Sequence, residues 1–264
     1  MKNLLLTSVI LTAALQPTKA DAEPISYNDI VVLEIRATDL GLKIKSDAEY
    51  QKNLKLRKVF RKKIIEFLPK ITQSARFVLI DMWFPDLIDQ KLDKQLASIF
   101  IENKNLTVAE GDYNWNEHTN AFFSKHILET GHIFIDYTSD FEFGFYMNIC
   151  THWPLFYEPL SKCPKAAIRR HIALIAAEGF LGYKLAHPDS GAYVWQRAQM
   201  VPFKRISLTD YKSNPEQING KLVLFISRST DDVDLHKWQG KYYITGSEIL
   251  ANVILGFARQ FPRR

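Results

Sequence analysis

The apolar positions along this chain alternate between two spacings. Residues 29–36 hold Ile30, Val31, Val32, Leu33 and Ile35 between polar flanks, a short β-branched run that predicts a strand. From 53 to 68 the residues Leu56, Val59, Phe60, Ile64, Phe67 and Leu68 recur at three- and four-residue steps, the spacing of one helix face, and Pro69 is expected to close the pattern. Residues 77–80 return to a compact apolar run suited to a strand buried on both sides. A second helix is expected next, with Ile88, Leu92, Leu96, Ile99 and Phe100 inward and Asp89, Lys91, Asp93 and Lys94 facing water. Residues 106–109 complete the order strand, helix, strand, helix, strand, which predicts βαβ units and a mainly parallel sheet.

The middle of the chain changes character. Aromatic-rich runs at 133–137 and 141–149, separated by Thr138, Ser139 and Asp140, read as an inserted antiparallel hairpin. A helix over 166–183, a turn-rich segment over 187–202, a strand over 222–226 and a helix over 247–257 follow. The expected fold is α/β, with a mainly parallel central sheet, flanking helices and the hairpin, in one domain spanning 23–264.

Residues 1–22 have a different logic. Lys2 precedes an apolar run at 4–15, and small residues surround Ala20 and Ala22, the order of a cleavable secretory signal. The run is shorter than the roughly 20 apolar residues a bilayer span needs, which weighs against a retained anchor, and no later segment is a better span. The expected location is periplasmic or secreted, with no transmembrane segment after cleavage. Losing Lys2, Lys19 and Asp21 lowers the formal charge from +5 to +4, too weak and too evenly spread to argue for nucleic acid. Cys150 and Cys163 are the only cysteines, and in an oxidising compartment they are candidates for a disulfide; two separate buried thiols are the alternative.

Known catalytic signatures are absent: there is no nucleophile elbow, phosphate loop, zinc-binding H-E-x-x-H helix or dinucleotide fingerprint. The seven histidines show no metal-ligand spacing, so no catalytic residue, metal or cofactor is assigned. One cluster stands out. The strand at 222–226 runs into Ser227, Arg228, Ser229, Thr230, Asp231, Asp232, Val233, Asp234, Leu235 and His236. Ligands of parallel sheets sit at the carboxyl ends of the strands, so Asp231, Asp234 and His236, with Asp81 after the 77–80 strand, are the candidate ligand-binding residues. A solvated loop whose side chains satisfy backbone donors is the competing reading. The basic positions between Lys52 and Lys63 form either a solvated face or a headgroup contact.

The order of motifs resembles the type-two CHASE domain, a sensory domain found outside the bacterial membrane. Ile206 and Ser207, then Asn219, Gly220, Lys221, Leu222, Val223 and Leu224, look like that family's Ile-Ser and Gly-Lys-Ile-Val-Leu strand. Asp234 and His236 stand where it has Asp-x-His, and residues 246–252 (GSEILAN) resemble its Gly-Val-Glu-Ile-His-Ala-Asn helix. The strands at 29–35 and 77–81, with Phe84, fit its opening. The resemblance implies an extracytoplasmic sensory or ligand-binding domain that acts through a small solute or a membrane-bound signalling protein, not by catalysis. Two alternatives stay open: an exported hydrolase using Asp81 and Asp234 as acid and base, and an envelope interaction protein.

Overall fold

The computed structural model describes residues 25–44, 49, 52–82, 84–112, 117–133, 136–137, 142–146, 148–150, 163, 165, 168–186, 193–197, 203–228, 235–238 and 242–264. Its first half follows the expected order: β1 (Ile30–Arg36), α1 (Leu54–Ser74), β2 (Phe77–Ile80), α2 (Gln90–Glu102) and β3 (Leu106–Ala109). Short pieces come next: β4 (Gly111–Asp112), β5 (Glu117–His118), α3 (Ala121–Ser124), β6 (Thr130–Gly131), β7 (Asp136–Tyr137), β8 (Glu142–Tyr146), β9 (Asn148–Cys150) and β10 (Ile168–Arg170). The rest is α4 (Ile172–Leu181), β11 (Tyr193–Arg197), β12 (Lys204–Ser207), α5 (Leu208–Ser213), β13 (Leu222–Arg228), β14 (Leu235–Trp238), β15 (Tyr242–Thr245) and α6 (Gly246–Gln260).

Six strands form one parallel sheet in the order β12-β1-β13-β2-β3-β6, so the α/β class and mainly parallel sheet expected from the sequence are what the chain adopts. Strand alternation divides the core between two faces. Ile30, Val32, Phe77, Leu79, Leu222 and Leu224 pack against α4 and α6. The intervening Val31, Leu33, Val78, Ile80, Val223 and Phe225 pack with apolar residues of α1, α2 and α5. Strands buried on both faces are apolar at nearly every position, which is why β2 and residues 222–226 read as unbroken runs and β1 as a run interrupted by Glu34.

The structure corrects several expectations. Helix α1 does not end at Pro69 but continues to Ser74. The proline lies on the exposed side, while Phe67, Leu68 and Ile71 are buried on the other, and that burial outweighs one missing backbone donor. Asp93 does not face water: it is 2% exposed, accepts the backbone N–H groups of Ile88 and Asp89, and pairs with Arg61 Nη1 at 2.6 Å. The segment 166–183 is not one helix. Ile168–Arg170 is the strand β10, and His171 caps α4 by accepting the Ala173 N–H on Nδ1 at 3.1 Å. In the middle of the chain β8 sits between β7 and β11, a three-stranded antiparallel sheet where a two-stranded hairpin was expected. No helix among the described residues is long and apolar enough to cross a membrane.

Candidate functional site

Where a strand's outgoing chain crosses to the opposite face from its neighbours', a parallel sheet opens a crevice at its carboxyl rim. Strand β13 is such a point. The chain leaves β1 and β2 for α1 and α2 on one face, whereas it leaves β13, by way of β14 and β15, for α6 on the other. Asp81 lies at this rim, half-buried, and its N–H donates to the Phe225 carbonyl at 3.0 Å, extending the β2–β13 pairing by one step. The next position of that register is Ile226, whose partner on β1 is Glu34. Two interstrand spacings therefore separate the backbones of Asp81 and Glu34, about 10 Å.

Glu34 is the residue sequence reasoning passed over. It interrupts an apolar strand and has 0% exposure. Period-two alternation puts Arg36 on the same face, and Arg36 Nη2 meets Glu34 Oε2 at 2.6 Å while Nε reaches the same oxygen at 2.9 Å. From the neighbouring strand β12, Arg205 Nη2 approaches Glu34 Oε1 at 2.9 Å. The same Nη2 donates to Thr245 Oγ1 at 3.0 Å, and Arg205 Nη1 lies 3.8 Å from Glu248 Oε1. Thr245 and Glu248 form the capping box of α6: Glu248 Oε2 accepts the Thr245 N–H at 2.9 Å, and Thr245 Oγ1 accepts the Glu248 N–H at 3.3 Å. Arg205 thus ties β1 and β12 to the start of α6. A carboxylate buried in mid-sheet needs such partners, because an unpaired charge there carries a large desolvation cost.

At the outer edge of the same rim, the backbone N–H and hydroxyl of Ser207 donate to Asp210 at 2.9 and 2.7 Å. These bonds, with a lesser pull from Arg36, hold the Asp210 carboxyl below its ordinary value. The rim carries both signs of charge, Glu34 and Asp81 beside Arg36 and Arg205, at the kind of position where parallel sheets ordinarily hold their ligands.

Of the residues expected at the site, the structure brings Asp81 beside the exit of β13, since β2 and β13 are adjacent and parallel. His236 lies on β14 with its backbone opposite Ile244 of β15; its side chain is outside the described residues. Asp231 and Asp234 also lie outside them. Cys163 is buried and is not a free thiol, while the side chain of Cys150, on β9, is outside the described residues. Among the described residues no group of three or more His, Cys, Asp or Glu is placed to hold a metal ion. The signal for Glu34 and Arg36 was present in the sequence: a lone acid inside a β-branched run, followed at the strand period by a base.

A second charged cluster occupies the opposite end of the sheet. Glu178, on α4, accepts from Arg170 Nη2 at 2.6 Å, Lys184 Nζ at 2.8 Å and the Leu185 N–H at 3.0 Å, and Arg170 Nη1 also meets Glu129 at 2.9 Å. Burial by itself would raise the Glu178 carboxyl; the bonds and charges of Lys184 and Arg170 outweigh it and hold the group below its ordinary value. Glu129 and Glu178 also line a cavity of about 470 Å³ with Phe77, Leu106, Ile175 and Gly179.

Compared with known proteins, the chain matches no family model, no curated protein and no solved structure.

Proposed function

We infer that this chain is an exported, extracytoplasmic sensory or ligand-binding domain of the type-two CHASE kind, recognising a cation or a polar, hydroxylated solute at the carboxyl rim of β13. The observation that carries the reading is the buried Glu34 carboxylate, paired with Arg36 and Arg205, set two strand spacings from Asp81 in the crevice where the chain changes faces. Ion pairs of this kind fix the first turn of α6 against β1 and β12, which supplies a firm wall for a ligand entering from the loop side. In this reading Asp231, Asp234 and His236, which follow β13 in the sequence, are the further candidates for ligand contact. The domain works by binding, and its output passes through a membrane-bound signalling partner.

Thermal unfolding in the presence of separate panels of polyols, amines and divalent cations tests the proposal. A ligand that binds only the native state raises the unfolding midpoint with its concentration. One class is expected to do so, without being consumed, and Asp81→Asn is expected to remove the shift while leaving the unliganded midpoint near that of the parent. No shift from any class, or turnover of the compound that binds, would overturn it.

A further inference from the structure

The outer face of α1 has a composition that its place in the fold does not require. Lys55, Lys58, Lys62, Lys63 and Lys70 fall within about 140° of helical arc, with Glu66 the acid among them. From Lys55 to Lys70 the row runs about 22 Å along the axis. Lys63 pairs with Glu66 at 2.5 Å and Lys58 with Asp89 at 3.0 Å, whereas Lys55, Lys62 and Lys70 have no acidic partner among the described residues. Lys70 instead sits over the Phe67 ring, 5.4 Å from its centroid, and Lys212 of α5 approaches the same ring at 5.1 Å, extending the basic strip sideways.

One corner of this face is also apolar. Leu54, in the first turn of α1, is 49% exposed and Leu87, in the loop before α2, is 54% exposed. The ion pairs Arg57–Asp86, at 2.9 Å, and Lys58–Asp89 fasten that loop to the first turns of α1, so the two leucines stand at the same corner, beside the cations.

We propose that the outer face of α1 docks on an anionic lipid bilayer, with the lysines among the headgroups and Leu54 and Leu87 at the acyl boundary. Lysines near an anionic leaflet are attracted individually and additively, and an exposed leucine pair gains from the interface what it cannot gain from water. A phosphate backbone would satisfy the lysines but offers nothing to the leucines, which is why a membrane surface is the better match. The surface would hold the domain flat against the membrane from which its signalling partner is reached.

The test is co-sedimentation of the full chain with vesicles of phosphatidylcholine alone and of equal parts phosphatidylcholine and phosphatidylglycerol. The leader, with its apolar run at 4–15 and with Lys2 and Lys19, is common to the parent and every variant, so the change in the anionic excess between parent and variant isolates the face of α1. Binding to the anionic vesicles is expected to exceed binding to the neutral ones and to fall with salt, as the screening length drops from about 8 Å to about 3 Å. Lys55→Glu/Lys62→Glu/Lys70→Glu is expected to cut that excess by about tenfold or more, and Leu54→Ser/Leu87→Ser to cut it severalfold, with unchanged thermal midpoints. If charge reversal destabilises the fold, the glutamine versions at the same three positions serve instead. An excess that survives either set of lysine variants overturns the proposal. So does an excess indifferent to the leucines and equalled by heparin, which would mark general adhesion to polyanions.

Discussion

Arg205 on β12 holds its guanidinium 2.9 Å from the fully buried carboxylate of Glu34 on β1, and the same guanidinium donates to Thr245 at the start of α6. Strand and helix are joined through one side chain. Replacing Glu34 with Leu leaves Arg205 without its nearest counter-charge; because Arg205 is 29% exposed and keeps Glu248 at 3.8 Å, the loss should fall short of the about 3–5 kcal/mol of a fully buried broken pair. Urea unfolding of Glu34→Leu should show a destabilisation of about 1–3 kcal/mol. The double variant Glu34→Leu/Arg205→Met should recover much of it, since an apolar pair of similar volume avoids the desolvation of both charges. Strictly additive losses would mean that the two residues are not energetically coupled.

The Glu178 cluster makes a prediction about pH. Its carboxyl has a lower pKa folded than the ordinary 4.5, because the bonds from Lys184 and Arg170 outweigh the effect of burial. A depressed carboxylate contributes stability that is fully present above the unfolded value and is lost as pH falls through the folded one. Unfolding free energy should therefore drop below about pH 4.5. In Glu178→Gln the protein should be less stable at neutral pH and its acid limb shallower. Parallel acid limbs for parent and variant would show that the depressed pKa contributes nothing.

How far these features could be read in advance depends on where their causes lie. β1, β2, β3 and β13 were legible because both faces of each are covered, so the chain itself carries a mostly apolar run, broken in β1 by Glu34 and in β3 by Thr107. β12 was not, since only Ile206 of its four residues is buried and an edge strand need not announce itself. Pro69 misled because local propensity is weaker than the burial of Phe67, Leu68 and Ile71 around it. Asp81 was legible from its place after a strand, a local fact. Arg205 was not, because what makes it part of the rim is parallel pairing between β1 and β12, two segments remote in sequence. Asp93 shows the same limit: an acid on a helix looks solvated until the neighbouring helix supplies Arg61.

The cysteines give a covalent prediction. Cys163 is buried, and the chain holds one other cysteine, Cys150. A Cys150–Cys163 bond would close a short loop and, by loop-entropy reasoning, contribute about 3 kcal/mol. Mass spectrometry of the oxidised protein should find the linked peptides. Cys150→Ser/Cys163→Ser should unfold at a lower urea concentration than the oxidised parent and match the reduced parent. Two alkylatable thiols in protein recovered from an oxidising compartment would refute the pairing.

A test of packing comes from Gly179 on α4. Alanine is the better helix former by about 1 kcal/mol, so on local grounds Gly179→Ala should stabilise the protein. The fold sets the opposite sign. A Cβ at this position would lie 2.1 Å from Cε2 of Phe77 and 2.5 Å from its Cδ2, and the ring itself is 6% exposed at the start of β2. The aromatic ring would have to leave its rotamer or α4 to move off the sheet, and overpacking of this kind costs about 1–3 kcal/mol. Net destabilisation is therefore expected in urea unfolding. Shortening the opposing side chain supplies the control: Phe77→Leu removes the ring atoms that collide, so Gly179→Ala in that background should be neutral or stabilising. If alanine instead destabilises by the same amount with either residue at 77, the collision is not the cause, and the glycine serves some other need of the helix.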